Sequence, residues 1–163
     1  MMPWVESYRA DPRAAAIADR HYNRHARQFV PPGRCLVFLT PDAGALWITS
    51  WPIAEYVQHA WAGAWICSCF RRESGPRASD LIRAAIAATR YTWPAIPPLG
   101  MVTFVDRDKV RPKRDPGRCF LRAGFRIVGE TKGGLLALQI FAQDMPDPEP
   151  CRGTTATLWE ATA

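Results

Sequence analysis

The chain has 163 residues, 48% of them hydrophobic and 22% charged, which fits one compact domain with its own core rather than two domains or a disordered chain. Its formal net charge of +6 is local: residues 107 to 126 hold eight of the 21 basic side chains and two of the 15 acidic ones, and the rest of the chain is balanced. A concentrated basic band points to an acidic partner. Apolar runs such as 60–69 are far shorter than the roughly 20 residues of a membrane span. Residues 1–13 lack the basic and apolar segments of a secretory signal, so the expected location is the cytoplasm and no membrane partner is expected. Five cysteines at 35, 67, 69, 119 and 151 match neither a paired framework nor a zinc module. Cys67 and Cys69, two apart in a strand, are expected to share one face as free buried thiols.

Asp11 before Pro12 is a good cap for a helix predicted over 11–26. The runs CLVFLT and ALWITSW, separated by the short turn at 41–44, predict an antiparallel hairpin. Residues 53–63 are ambiguous, and AWICSCF after them is a third strand. A polar loop at 73–78 precedes LIRAAIAATRYTW, a helix with Ser79 and Asp80 as its caps and one apolar face. A fourth strand, LGMVTFVD, follows a proline-rich breaker. Asp115 and Pro116 open a short helix that runs through Ala123 and ends at Gly124. FRIVGET and LLALQIF form the last strand pair. The fold class is α/β: a single domain over residues 1–143, with a central, mixed, mostly antiparallel sheet flanked by helices, and a loosely ordered tail at 144–163.

Two segments carry chemistry. The first is Arg72-Glu73-Ser74-Gly75-Pro76-Arg77, set between a strand that ends in basic residues and the start of a helix. Helix-terminal N–H groups, a glycine that permits close approach and flanking guanidiniums together make a pyrophosphate cradle; an ordinary solvent-exposed loop has the same composition. The second is Pro116-Gly117-Arg118-Cys119-Phe120-Leu121-Arg122-Ala123-Gly124-Phe125, a short helix ending in Gly-Phe and running into a strand. In this order the two segments resemble the GNAT acyltransferase superfamily over roughly residues 34–141.

The resemblance implies a GNAT-like fold and acetyl-CoA or a related acyl-CoA as donor. Arg71, Arg72, Gly75, Arg77 and Ser79 would face that cofactor, and a splayed neighbouring strand would hold its pantetheine arm. Two departures stand out. Arg77 occupies the last small position of the loop, and Phe120 replaces the tyrosine that commonly protonates the departing thiolate. A phenyl ring cannot donate a proton, which leaves Tyr22, water or no group for that step.

His21-Tyr22, Thr103-Phe104-Val105-Asp106 and the Pro116–Phe125 segment together resemble the Mom family of phage DNA-modification proteins, which are GNAT-like. That family converts adenine in DNA to a carbamoylmethyl adenine at the exocyclic amine and so protects phage DNA from restriction. The resemblance implies His21, Tyr22 and Asp106 as active-site residues and double-stranded DNA as partner. Asp106 at a strand end suits a base for a poorly nucleophilic amine, and suits a turn acceptor equally. His21 and His25, four apart on a helix, have metal-holding spacing, and read otherwise as surface or packing residues. Arg111, Lys113, Arg114 and Arg118 are the candidates for phosphate contacts, which position DNA without reading its sequence. A base modified inside a duplex must be extruded, with Trp51 or Trp61 as a stacking partner. A conventional N-acetyltransferase acting on a small-molecule or protein amine, and an inactive nucleic-acid-binding module of the same shape, remain open.

Overall fold

The computed structural model describes residues 1–21, 30–57, 59–109 and 117–155. Seven strands form one sheet: β1 (Val5–Glu6), β2 (Arg34–Leu39), β3 (Ala45–Trp51), β4 (Trp65–Arg72), β5 (Met101–Val105), β6 (Arg126–Glu130) and β7 (Leu136–Ile140), in the spatial order β1-β2-β3-β4-β5-β7-β6. Every neighbouring pair is antiparallel except β4 and β5, whose crossover contains α2 (Ala78–Thr92). Helices α1 (Pro12–Asp19) and α3 (Arg118–Arg122) complete a single α/β domain. Among the described residues no helix is long and apolar enough to cross a membrane.

Alternation along β2 and β3 sends side chains to two separate cores. Leu36, Phe38, Ala45 and Trp47 join Leu81, Ile82, Ala85 and Ile86 of α2 on one face, and Phe120, Ala123 and Phe125 in and after α3 extend that cluster. Val37, Leu39, Leu46 and Ile48 pack with Ala14, Ile17 and Ala18 of α1 on the other. Each fully buried Leu or Ile contributes roughly 1.5–3 kcal/mol. Between the sheet and α2, the Trp47 indole N–H donates to Thr49 Oγ1 at 2.6 Å. Thr49 Oγ1 lies 3.2 Å from Thr89 Oγ1, which donates to the Ala85 carbonyl at 2.8 Å.

The first helix starts as expected, with the Asp11 carboxylate accepting the Arg13 N–H at 2.9 Å and Pro12 in its first turn. It ends earlier than expected. The N–H groups of Arg20 and His21 bond to the carbonyls of Ile17 and Ala18, three residues back, and this tightening closes the helix. His21 therefore lies just past α1, and Tyr22 and His25 fall outside the described residues.

The expectation that Cys67 and Cys69 share a face is overturned. Thr49 pairs with Cys67 while the preceding Ile48 pairs with Cys69, so Ser68 is an extra residue in β4. This β-bulge inverts the parity of the strand. Cys67 joins the α2-side core, and Cys69 joins the α1-side core.

Residues after Gln143, expected to be loosely ordered, are bound to the domain as far as Thr155. Met145 is buried, the Arg152 N–H donates to the Trp4 carbonyl at 2.9 Å, and Thr154 bridges Glu6 in parallel.

Gly100 feeds the crossover into β5 with φ +65°, and its carbonyl accepts the Trp65 N–H at 2.9 Å. A Cβ there would collide with the Ile140 carbonyl oxygen. Gly100→Ala is therefore expected to cost about 2 kcal/mol or more, a Tm drop of roughly 4–8 °C by calorimetry. An unchanged Tm would contradict this packing.

Candidate active site

β4 and β5 pair only at Trp65–Met101, Ile66–Val102 and Cys67–Thr103. Beyond that point β4 continues for five residues and β5 for two, and the bulge at Ser68 turns β4 along β3 and away from β5. The strands part, and a cavity of about 530 Å³ fills the gap. Its walls are Cys67, Ser68, Cys69 and Phe70 of β4 on one side and Thr103, Phe104 and Val105 of β5 on the other. The start of α2 contributes Arg77, Ala78 and Ser79, and α3 contributes Arg118, Cys119, Phe120 and Arg122. His21 reaches it from the end of α1. Because α1 and α3 cover opposite faces of the sheet, the cavity passes through the sheet where the strands part.

The start of α2 differs from expectation. Arg77 is the residue before its first turn and no side chain caps it; Ser79 and Asp80 lie inside the helix. Gly75, with φ +98°, turns the loop, and Pro76 directs it into the helix two residues earlier than a Ser79 cap would. The first-turn N–H groups have no intrahelical partner and carry the positive end of the helix dipole. The loop ahead of them is pinned, since the N–H groups of Glu73 and Ser74 both donate to the Gly44 carbonyl, at 2.7 and 3.0 Å.

The five residues expected to face a cofactor divide into two groups. Arg77 and Ser79 line the cavity. Gly75 is not among the residues lining the cavity, and Arg72 turns back and donates to the carbonyls of Gly75 and Pro76, at 2.8 and 2.7 Å, so both shape the loop. Arg71, paired opposite Leu46, lies on the α1 side and donates to Glu73 at 2.9 Å. Arg20 grips the same carboxylate through two bonds of 2.6 Å. Hydrogen bonds from Arg20 and then Arg71 hold the Glu73 carboxyl at about 2. This cluster ties the end of α1, and with it His21, to the loop.

Asp106 is placed at the end of β5, where its carboxylate accepts the Asp108 N–H at 3.1 Å; it is not among the residues lining the cavity. Arg111, Lys113 and Arg114 lie outside the described residues, whereas Arg118 is at the cavity edge. Arg122, one turn further along α3, joins it there and was not singled out from the sequence; the i, i+4 spacing was the available signal. Ser68, Phe70 and Phe104 were missed as well. Phe120 is buried edge-on against Phe70 and Phe125, with ring centroids 6.1 and 5.2 Å apart. The thiols of Cys67 and Cys119 are pushed up chiefly by burial and stay protonated at neutral pH. Among the described residues no cluster of three or more metal-ligating side chains occurs.

Burial first, and then the Arg71 charge, lower His21 from 6.5 to about 4. The unfolded chain takes up this proton near 6.5 and the folded chain only near 4, so stability should fall as pH drops through that window. Tm measured from pH 7 to 4 should decline less steeply in His21→Gln than in the parent, and identical slopes would contradict the burial of His21. No family model, curated protein or solved structure significantly matches this chain.

Proposed function

We propose that this chain is a GNAT-type transferase of the Mom kind. It would transfer an acyl group from acetyl-CoA or a related acyl-CoA to the exocyclic amine of adenine in DNA, the new C–N bond forming at the thioester carbonyl as the C–S bond breaks and coenzyme A leaves as the thiol; a carbamoylmethyl-type product requires in addition a donor for its amide nitrogen. The observation that carries this reading is the cavity between the parted strands, where the uncapped first turn of α2 and the side chains of Arg77, Arg118 and Arg122 converge.

The residues present fit such a donor. A pyrophosphate calls for N–H groups and positive charge together, and the start of α2 supplies the first while the three guanidiniums supply the second. A Cβ at Gly75 would meet nothing within 4 Å, so the loop is open on its outer side. Past Cys67 and Thr103 the facing edges of β4 and β5 no longer pair with each other, which leaves room between them for an extended arm. When bound, the donor supplies a carbon activated as a thioester.

The remaining steps fall to this chain. The adenine amine shares its lone pair with the ring, so it attacks well only as its proton leaves. The His21 imidazole at the cavity wall, unprotonated at neutral pH, can accept that proton on a ring nitrogen. Phe120 cannot reprotonate the departing thiolate, which leaves Tyr22, water or no group for that step. Arg118 beside the cavity and the basic band around it would hold the DNA backbone, with affinity falling steeply as salt rises. A second reading, acyl transfer to a small-molecule or protein amine, is favoured by one observation: Asp106, expected at the adenine, is engaged in a turn outside the cavity.

Plasmid DNA from cells expressing the protein, digested to nucleosides and analysed by mass spectrometry, should contain a modified deoxyadenosine and resist restriction. Unmodified DNA would overturn the proposal, and coenzyme A release with an added small amine in its place would support the second reading.

A further inference from the structure

On the sheet face opposite α2 and α3, the part built from β5, β7 and β6 lies beyond α1, which packs against β3 and β4. Phe104 of β5 pairs with Ala137 of β7, and Ala137 pairs with Gly129 of β6. Cross-strand partners point to one face, so this row has a large ring at one end and almost no side chain at the other. Trp61 occupies the space so left, with its ring edge 3.9 Å from where Gly129 would carry a Cβ. His59 completes the group: its ring centroid is 5.0 Å from Phe104 and 6.0 Å from Trp61, and the Phe104 and Trp61 centroids are 5.8 Å apart. The Trp61 backbone N–H donates to His59 Nδ1 at 3.1 Å, which fixes the imidazole and leaves the proton of the neutral ring on Nε2.

Three features set this cluster apart from ordinary packing. All three rings are half-exposed. Phe104 is at once a member of the cluster and a wall of the cavity, so the rings continue the cavity outward on the His21 side of the sheet. A cation stands beside it: Arg126 opens β6 and is exposed, whereas Arg107 after β5 is held by Glu130. Half-exposed aromatic rings beside a basic track are the combination that binds unpaired nucleotides, because every base has a face to stack and every linkage a phosphate.

We propose that Phe104, His59 and Trp61 form a stacking platform for an unpaired nucleobase, placed to hold the base whose amine faces the cavity; this rests on the DNA-directed reading above. The platform receives a base only after it has left the duplex, while Arg126 holds a flanking phosphate.

The test compares binding of two fluorescein-labelled oligonucleotides of equal length by anisotropy: a mixed-sequence single strand and an abasic single strand that keeps the phosphates. The parent protein is expected to bind the base-containing strand about tenfold more tightly than the abasic one. Trp61→Ala and His59→Ala should bring that ratio close to one without weakening abasic binding, and Trp61→Phe, which keeps a ring in place, should retain most of it. A parent protein that does not bind, that binds the abasic strand as tightly as the base-containing strand, or whose ratio survives Trp61→Ala, would overturn the platform. The two proposals fail separately. Modified deoxyadenosine with a ratio insensitive to Trp61 removes the platform alone, and a Trp61-dependent ratio with unmodified DNA removes the transferase alone.

Discussion

β4 cannot follow both of its neighbours. The extra residue at Ser68 keeps the strand in register with β3 beyond the bulge and ends its pairing with β5 at Cys67. Backbone groups along a parted edge must find other partners, because unpaired buried N–H and C=O groups are costly. The gap is the cavity lined by residues of β4 and β5, and the crossover through α2 brings a helix start to its mouth. The two cores on either side of the sheet hold the parting open: α1 braces β3 and β4 from one face, and α2 with α3 braces the other.

Charge is organised around the same slot. Several arginines are already committed to structure. Arg20 and Arg71 clamp Glu73, Arg72 holds two loop carbonyls, Arg83 donates to the Ala123 carbonyl at 2.7 Å at the end of α3, and Arg107 pairs with Glu130. Arg118 and Arg122 have no ion pair among the described residues, and Arg77 has only Asp80 at 3.8 Å, with both side chains largely exposed. Exposed pairs of that kind contribute little and exchange readily for a stronger anion. Arg77, Arg118 and Arg122 at the cavity edge are thus among the arginines that the fold leaves available.

Much of this architecture was legible in the sequence. The strands at 34–39 and 45–51, the long helix at 78–92 and the last strand pair followed from apolar alternation, helical spacing and turn chemistry. The Ser68 bulge was not legible, because AWICSCF is apolar enough to satisfy either parity and nothing in its composition marks an extra residue. The start of α2 was misplaced because Ser79 and Asp80 are both good caps, while the left-handed turn at Gly75 and the geometry of Pro76 set the boundary earlier. Of the expected site residues, Arg77, Ser79, Arg118 and His21 meet in one cavity. Arg71, Arg72 and Asp106 were selected for a charge that the fold uses locally, and such competition between ligand and loop is set by tertiary geometry that no local motif encodes. The cluster of His59, Trp61 and Phe104 spans strand pairings 40 residues apart and more in the chain, so neither His59 nor Phe104 stood out alone.

On the reading proposed above, the start of α2 and the parted strands together hold a pyrophosphate-bearing thioester. Isothermal titration with coenzyme A and with pantetheine, which lacks the pyrophosphate, tests it most directly. Coenzyme A should bind with saturable heat, at least about tenfold more tightly than pantetheine, since charge-assisted bonds to phosphate contribute more than one such factor in affinity. Absence of coenzyme A binding, or equal affinity for the two, would contradict the account.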